Sequence, residues 1–416
     1  MASYAASLPS QLAGLYEPNK LQALRYGANV VRDHLLAALP TPTSRAFIVT
    51  GTSLATRTPL IKDLEQLLVG GGGDADPQST QKNRHAGTFA HIKQHAPVEQ
   101  LDEATRLILR DENIDTIISV GGGSPIDSAK AIIFRVHEQK KTRDRPTSWL
   151  RHIAIPTTLS AAECTPNAGY TQRDGTKTGI KHPNCIPAYV FYDPSYVALH
   201  TPPHLILSTG IRALDHAVEA QYHPTATYVP CQLIARSAIA ELFALLPQFK
   251  ADPTDQLVIT RLFLAAYASL GFLGANTGSQ GLGLSHSLGY ALGSPYGIPH
   301  GVTSCLTLGH VVKMKALTTT ATAAAQIAAL LPFVTTKQEN GGGGGGGGRD
   351  DDDMVRDAQA VGDAIIDLVK RLGLATTLTE QKVGKDQVDI IVERATKGLS
   401  DNEKADELYL FDTQQH

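Results

Sequence analysis

In the first two hundred residues, short apolar runs alternate with stretches of helical periodicity. Ala46–Val49 reads as a buried strand and Leu60–Leu68 as the helix after it. Leu101–Leu109 is a second helix, and Thr116–Val120, rich in β-branched residues, is a second strand. Ala129–Val136 continues a helix, and His152–Ile155 and Tyr189–Tyr192 are further short strands. Strands alternating with helices predict β-α-β units and a parallel sheet. From Pro203 onward the pattern is helical with almost no strand signal. Leu207, Ile211, Leu214 and Val218 recur at helical spacing after Pro202-Pro203 and predict one core face. Further helices are predicted at Gln232–Leu246, Gln256–Leu273, Val302–Ala316, Ala321–Leu331, Asp357–Arg371 and Lys385–Ala395. The expected organisation is an α/β domain over 1–200 and an all-helical domain over 201–416, with the boundary near Asp193–Pro203.

Two segments fall outside this pattern. Gly341–Gly348 is eight glycines, followed by Arg349 and Asp350–Asp353. Eight glycines do not hold a helix and adjacent like charges repel, so 341–353 reads as a flexible surface insertion. Gly70–Asp76 reads as a shorter loop of the same kind.

Composition narrows the function. The 416 residues are 42% hydrophobic and 19% charged, enough for two cores. Lys+Arg number 37 against 40 Asp+Glu, a net charge of −3. That balance argues against a nucleic-acid partner and against an acidic disordered chain. Cys164, Cys185, Cys231 and Cys305 are far apart and form no C-x-x-C, which disfavours a disulfide scaffold or a zinc-thiolate site. Met1–Lys20 lacks a signal pattern, and no run of about 18 apolar residues is expected to span a bilayer. The expectation is a cytoplasmic protein with no membrane partner.

The strongest local signal runs from Val120 to Lys130, VGGGSPIDSAK. A strand leads into Gly121, Gly122 and Gly123, then Ser124 and Pro125, then a helix carrying Asp127. Glycines allow a sharp turn and close approach of a ligand, and the helix start offers N–H groups to a diphosphate. The G-x-G-x-x-G fingerprint is absent. The strand at Ala46 ends in Gly51, Thr52 and Ser53, with no acidic residue to repel a 2′-phosphate, so NAD and NADP are equally admissible. Further on, Arg212 and His216 lie four apart on one helix, as do His286 and Tyr290, and His300 follows. Three histidines from separate segments could meet on Fe²⁺ or Zn²⁺. His182, His223 and His310 read as ordinary packing or surface histidines.

With these residues in place, the chain resembles the iron-containing (group III) alcohol dehydrogenase superfamily, on its maleylacetate-reductase-like side. The matching stretches are VGGGSPIDSAKAI, IPTTLSAAECTP, FYDPSYVALHTPP, STGIRALDHAVEA and GLSHSLGYALGSPYGIPHG, in the family's order over roughly Tyr26 to Gly301. The resemblance implies a dehydroquinate synthase-like fold: an α/β N-terminal nucleotide-binding domain with a parallel sheet, then an all-α C-terminal domain. It implies NAD(P) held by Gly122, Gly123, Ser124 and Asp127, with Thr157, Thr158 and Lys177 contributing. It places the metal-ligand positions on Arg212, His216, His286 and His300, and it implies a homodimer acting on a small molecule.

Two departures change the picture. Metal-dependent members carry Asp where this chain has Arg212. A guanidinium has no lone pair to give, and at about 4 Å it would repel a divalent ion by roughly 8 kcal/mol at an effective dielectric of 20. Tyr290 stands where the family often has a proton-transferring histidine. Fe or Zn is therefore disfavoured, and Arg212 is expected to take over the metal's task, with Tyr290 or His216 as general acid. The plainer alternatives are an ion pair of Arg212 with Asp215 or Glu219 and packing for Tyr290. The leading expectation is a metal-independent NAD(P)H-dependent reductase of a small carbonyl or enone. Alternatives are a metal-dependent alcohol dehydrogenase, a repurposed lyase, dehydratase or cyclase, and a non-catalytic binding protein.

Overall fold

The computed structural model describes residues 16–70, 83–141, 147–274, 282–335 and 351–396. The chain forms two compact units. One comprises Asn19–Pro202 with Pro253–Phe263, the other Pro203–Asp252 with Leu264 onward.

The first unit is built on a six-stranded sheet. Its strands are β1 (Ala23–Tyr26), β2 (Arg45–Gly51), β3 (His85–Ile92), β4 (Ile114–Gly121), β5 (Arg151–Pro156) and β8 (Tyr189–Tyr192). They pair in the order β1-β8-β5-β4-β2-β3, all parallel. Side chains alternate between faces with period two, and both faces are covered. Ala46, Ile48, Ile118 and Val120 pack on Leu60, Leu64 and Leu68 of α3 (Leu60–Val69). On the other face, Phe47, Val49 and Ile117 meet Leu101, Ala104 and Ile108 of α4 (Val98–Leu109) and Ile132, Ile133 and Val136 of α5 (Gly123–Lys140). Two short helices, α1 (Val30–His34) and α2 (Thr52–Arg57), complete this part. The start of α8 (Gln256–Leu270) belongs to this unit because Phe263 stacks on Tyr192, their ring centroids 4.7 Å apart.

Connections from β2 run to one side of the sheet and those from β4 to the other. The carboxyl ends of β2 and β4 are therefore a topological switch point, where ligands of open α/β sheets bind. The pairings Thr50–Val120 and Gly121–Pro156 bring Gly51, Gly121 and Pro156 to that end.

The predicted strands all form, three of them longer than predicted by one or two residues at each end and Tyr189–Tyr192 with its predicted bounds. Three features were not predicted. β1 and β3 are edge strands with few fully buried residues, and their sequences (ALRY, HAGTFAHI) lack an apolar run. An antiparallel hairpin of β6 (Asn167–Thr171) and β7 (Lys177–Lys181) is largely polar.

The second unit is helical among its described residues. It contains α6 (Pro203–Tyr222), α7 (Leu233–Ala251), the rest of α8, α9 (Leu284–Tyr296), α10 (His300–Thr318), α11 (Ala321–Ala328), α12 (Leu331–Val334), α13 (Asp351–Leu372) and α14 (Val388–Ala395). Leu284, Leu288, Leu292, Leu306, Val311 and Ile391 form one core of α9, α10 and α14. Helix α6 departs from the expected single apolar face. Every residue from Ile206 to Gln221 is buried, including Arg212, Asp215, His216 and Glu219.

Two expectations need correction. Asp351–Asp353 are not part of a flexible insertion: they form the first turn of α13, where carboxylates favour the positive end of the helix dipole. The preceding 341–350, and 71–76 of the shorter loop, lie outside the described residues. Gly70 itself caps α3 with φ +97°. An apolar stretch long enough to cross a membrane does exist, Tyr228–Ala251, but more than half of it is buried as a core helix beside α6. The four cysteines are free.

Two outcomes are expected. Gly121 has φ +137°, and a Cβ there would lie 2.9 Å from Pro125 Cγ. Gly121→Ala should lower stability by about 1–3 kcal/mol in denaturant titration. His152 is buried, with Nε2 2.9 Å from Ser119 Oγ. Burial, with Lys130 nearby, lowers its pKa to about 3. The unfolded chain takes up a proton below pH 6.5 while the folded chain does not. This stability is thus fully present above 6.5 and lost as pH falls toward 3. Between pH 7.5 and 4.5 the loss should be about 1–3 kcal/mol smaller in His152→Gln than in the wild type.

Candidate active site

In the sheet unit, the glycine run closes tightly on the strand beside it. The Thr157 N–H donates to the Gly121 carbonyl at 2.9 Å. A Cβ on Gly122 would lie 3.0 Å from Thr158 Cγ2 and 3.1 Å from its Oγ1, and one on Gly123 would lie 3.3 Å from Ser160 Oγ. A side chain at either position would make its neighbour give way, and with glycine the half-buried backbone at the start of α5 stays uncovered by a side chain of its own. The cradle fits a diphosphate, with Gly122, Gly123 and Ser124 to hold it.

The other predicted cofactor residues gather here too. Thr157 and Thr158 are buried against the glycines. Asp127 accepts from the Gly169 N–H at 3.2 Å, and a Cβ on Gly169 would lie 3.0 Å from Lys177 Cε. Gly51 ends the adjacent strand. Two contributors were missed. Lys130 is fully buried, donating to the carbonyls of Ala162 (2.5 Å) and Asn167 (2.6 Å) and pairing with Asp127 at 3.3 Å, which ties the β6–β7 hairpin to α5. His95 has φ +63° and Ala96 φ +48°, both left-handed. The His95 N–H donates to Ser124 Oγ at 3.2 Å. Burial and Lys177 lower the His95 pKa to about 4. Consecutive left-handed residues against the glycine turn have no hydrophobic signature in sequence.

In the helical unit, α6, α9 and α10 converge on a buried polar cluster. Asp215 Oδ2 accepts from Ser304 Oγ at 2.6 Å, Ser285 Oγ at 2.8 Å and Arg212 Nη1 at 3.5 Å. Arg212 Nη1 also donates to Ser304 Oγ at 3.2 Å. Glu219 accepts from the Ser285 N–H at 2.7 Å and from His286 Nδ1 at 2.7 Å. His286 Nδ1 lies 3.4 Å from Asp215 Oδ1. Gly289 leaves room for the arginine: a Cβ there would lie 3.0 Å from Nη1.

The cluster sets its own protonation. Burial raises Asp215, but His286 and Arg212 outweigh it and hold the carboxyl below the usual range. Burial and the Asp215 charge raise Glu219. Burial and Arg212 pull His286 down, but hydrogen bonds and charges from Asp215 and Glu219 leave it raised. Burial, His286 and Arg212 drive His216 well below the ordinary imidazole value, so it is neutral.

The predicted site residues fall into two contacts. His216 and His286 have ring centroids 4.7 Å apart, and Tyr290 meets His300 edge-to-face at 5.9 Å. Arg212 takes the ion pair with Asp215 that the sequence offered as its plainer reading, while Glu219 pairs with His286 instead. The four positions that the resemblance assigns to a metal do not fit a divalent ion. They offer no carboxylate, and Arg212 puts a permanent cation among them. Asp215, Glu219 and His286 do bring ligand atoms within 4.8 Å of one another. Asp215 Oδ2, Glu219 and His286 Nδ1 are engaged within the cluster, while Asp215 Oδ1, His286 Nε2 and His216 Nδ1 are buried without a hydrogen-bond partner among the described residues.

Comparison with known proteins finds two family matches along the chain. The "Iron-containing alcohol dehydrogenase" model matches residues 23–194, and the "Fe-containing alcohol dehydrogenase family, C-terminal" model matches 206–407. Maleylacetate reductase from Sphingobium indicum is 30% identical over 218 residues, 52% of this chain and 57% of that protein. Maleylacetate reductase 2 from Cupriavidus pinatubonensis is 31% identical over 236 residues, 57% of this chain and 58% of that protein. The chain thus matches under three-fifths of the length of these relatives. The crystal structure of maleylacetate reductase from Agrobacterium tumefaciens superposes with a TM-score of 0.71 at 25% identity, over 98% of both chains. A 1,3-propanediol oxidoreductase structure gives 0.76 at 22% identity, over 97% of this chain and all of the other. The two family models together span both units, and the chain belongs to the iron-containing alcohol dehydrogenase family.

Proposed function

We propose that this protein is an NAD(P)H-dependent reductase of a small carbonyl or enone, comparable to maleylacetate, working as a homodimer without a metal. The observation that carries the reading is Arg212: a guanidinium anchored in a buried cluster, at a position where metal-dependent members of the family keep a ligand.

When bound, NAD(P)H supplies a hydride to the carbonyl carbon or to the conjugated carbon of an enone. Gly122, Gly123 and Ser124 would hold its diphosphate, with Asp127, Thr157, Thr158 and Lys177 around them and Gly51 at the neighbouring strand end. Gly51, Thr52 and Ser53 carry no acidic group, so NADH and NADPH are both accepted. Arg212 stabilises negative charge as it develops on the substrate oxygen, the task a metal has elsewhere. A proton must then reach that oxygen. His216 is neutral and a poor donor. Tyr290, half-exposed and one turn after His286, supplies it from its hydroxyl and regains it from water.

Arg212→Met should lower kcat/KM by about 10²–10³ while NADPH affinity is retained, and Arg212→Lys should fall between. Because Met leaves Asp215 without its cation, the lysine variant also guards against lost folding. Elemental analysis of the purified wild type should give well under one metal ion per chain. Stoichiometric iron or zinc with chelator-sensitive turnover would instead support a metal-dependent alcohol dehydrogenase. Product formation with no change at the reduced-nicotinamide band would support a lyase, dehydratase or cyclase.

Gly122→Val should weaken NADPH binding by about tenfold or more, followed in a fluorescence titration, because its side chain collides with Thr158. Unchanged affinity would remove the glycine cradle from the cofactor site.

A further inference from the structure

We propose that Asp215 is a positioning residue: it fixes one nitrogen of Arg212 and so presents the other edge of the guanidinium as a two-pronged site for a substrate carboxylate. The inference rests on the reading of Arg212 as the group that meets substrate.

The hydrogen-bond inventory of the guanidinium is the starting point. Arginine has five N–H donors in a rigid plane. Nη1 gives both of its recorded bonds, to Asp215 Oδ2 and Ser304 Oγ. Among the described residues, Nε and Nη2 make none. Those two nitrogens form the side-on fork that matches the two oxygens of a carboxylate.

The anchor is held on three sides. Asp215 is fully buried, and its Oδ2 also accepts from Ser285 of α9 and Ser304 of α10. Ser285 Oγ is in turn 2.8 Å from Thr307 Oγ1. An unanchored arginine loses rotamer freedom when it is fixed on a ligand. Here the protein has already fixed it, which favours binding by preorganisation. A ketone oxygen can accept from both N–H groups, but only a carboxylate meets each of them with its own oxygen and with a full negative charge. The chemistry therefore points to substrates that carry a carboxylate, such as oxo acids, over simple ketones.

The test uses the full chain and succinate as the probe, with dimethyl succinate as its uncharged counterpart, in isothermal titration. Wild type should bind succinate and not the ester. Arg212→Met should abolish succinate binding, and Asp215→Asn should weaken it by about tenfold or more. Ser304→Ala removes the second anchor but keeps the buried charge pair, so it should weaken binding less and serves if Asp215→Asn fails to fold. In turnover, Asp215→Asn should raise KM for a carboxylated carbonyl compound by about tenfold more than for its uncharged analogue, whereas general structural damage would move both alike. The inference is overturned if wild type does not bind succinate, if both anchor variants bind it as wild type does, or if both substrates suffer alike. If succinate follows the expected pattern but no carbonyl compound is reduced by NAD(P)H, the anchored fork stands and the reductase reading falls.

Discussion

Charge balance inside the helical unit is the constraint on which the candidate site depends. Two carboxylates, Asp215 and Glu219, are withdrawn completely from water on one helix. Removing the cationic partner of a buried carboxylate costs about 3–5 kcal/mol because the charge is left buried and alone. Arg212 and His286 supply the compensation, and two serine hydroxyls and a backbone N–H occupy further lone pairs. Helices α6, α9 and α10 are therefore docked by directional contacts as well as apolar packing. Their relative placement fixes which side chains face one another.

The same network explains why neighbouring imidazoles differ. His216 and His286 are both buried and their rings nearly touch, yet one is pushed down and the other up. The difference is Glu219 and Asp215, which reach His286 Nδ1. A cation already in place raises the cost of a second on His216. Protonation is thus partitioned by geometry within one helical turn.

Much of the fold was legible because buried parallel strands must be apolar on both faces. Ala46–Val49, Thr116–Val120 and His152–Ile155 have that signature, and β3 and β1, at the sheet edges, do not. The β6–β7 hairpin gave little apolar signal because Lys130 and Asp127 hold it, with only Ala168, Tyr170 and Ile180 reaching the core. For α6, the spacing of Leu207, Ile211, Leu214 and Val218 identified a core face but not that the polar face is buried as well. That burial comes from α9 and α10, which follow more than sixty residues later. The glycine run was readable because turn chemistry is local. The pairing of Glu219 with His286 was not, because the two lie 67 residues apart and no local spacing links them.

Gly289 sets how close the guanidinium can lie to α9. Its missing Cβ provides the space that Arg212 Nη1 fills. A Cβ there would stand 3.0 Å from Nη1 and 3.1 Å from Thr303 Oγ1, so a larger residue would displace the guanidinium tip by about a few tenths of an ångström. The breadth of one side chain on α9 thereby meters where the charge of α6 comes to rest.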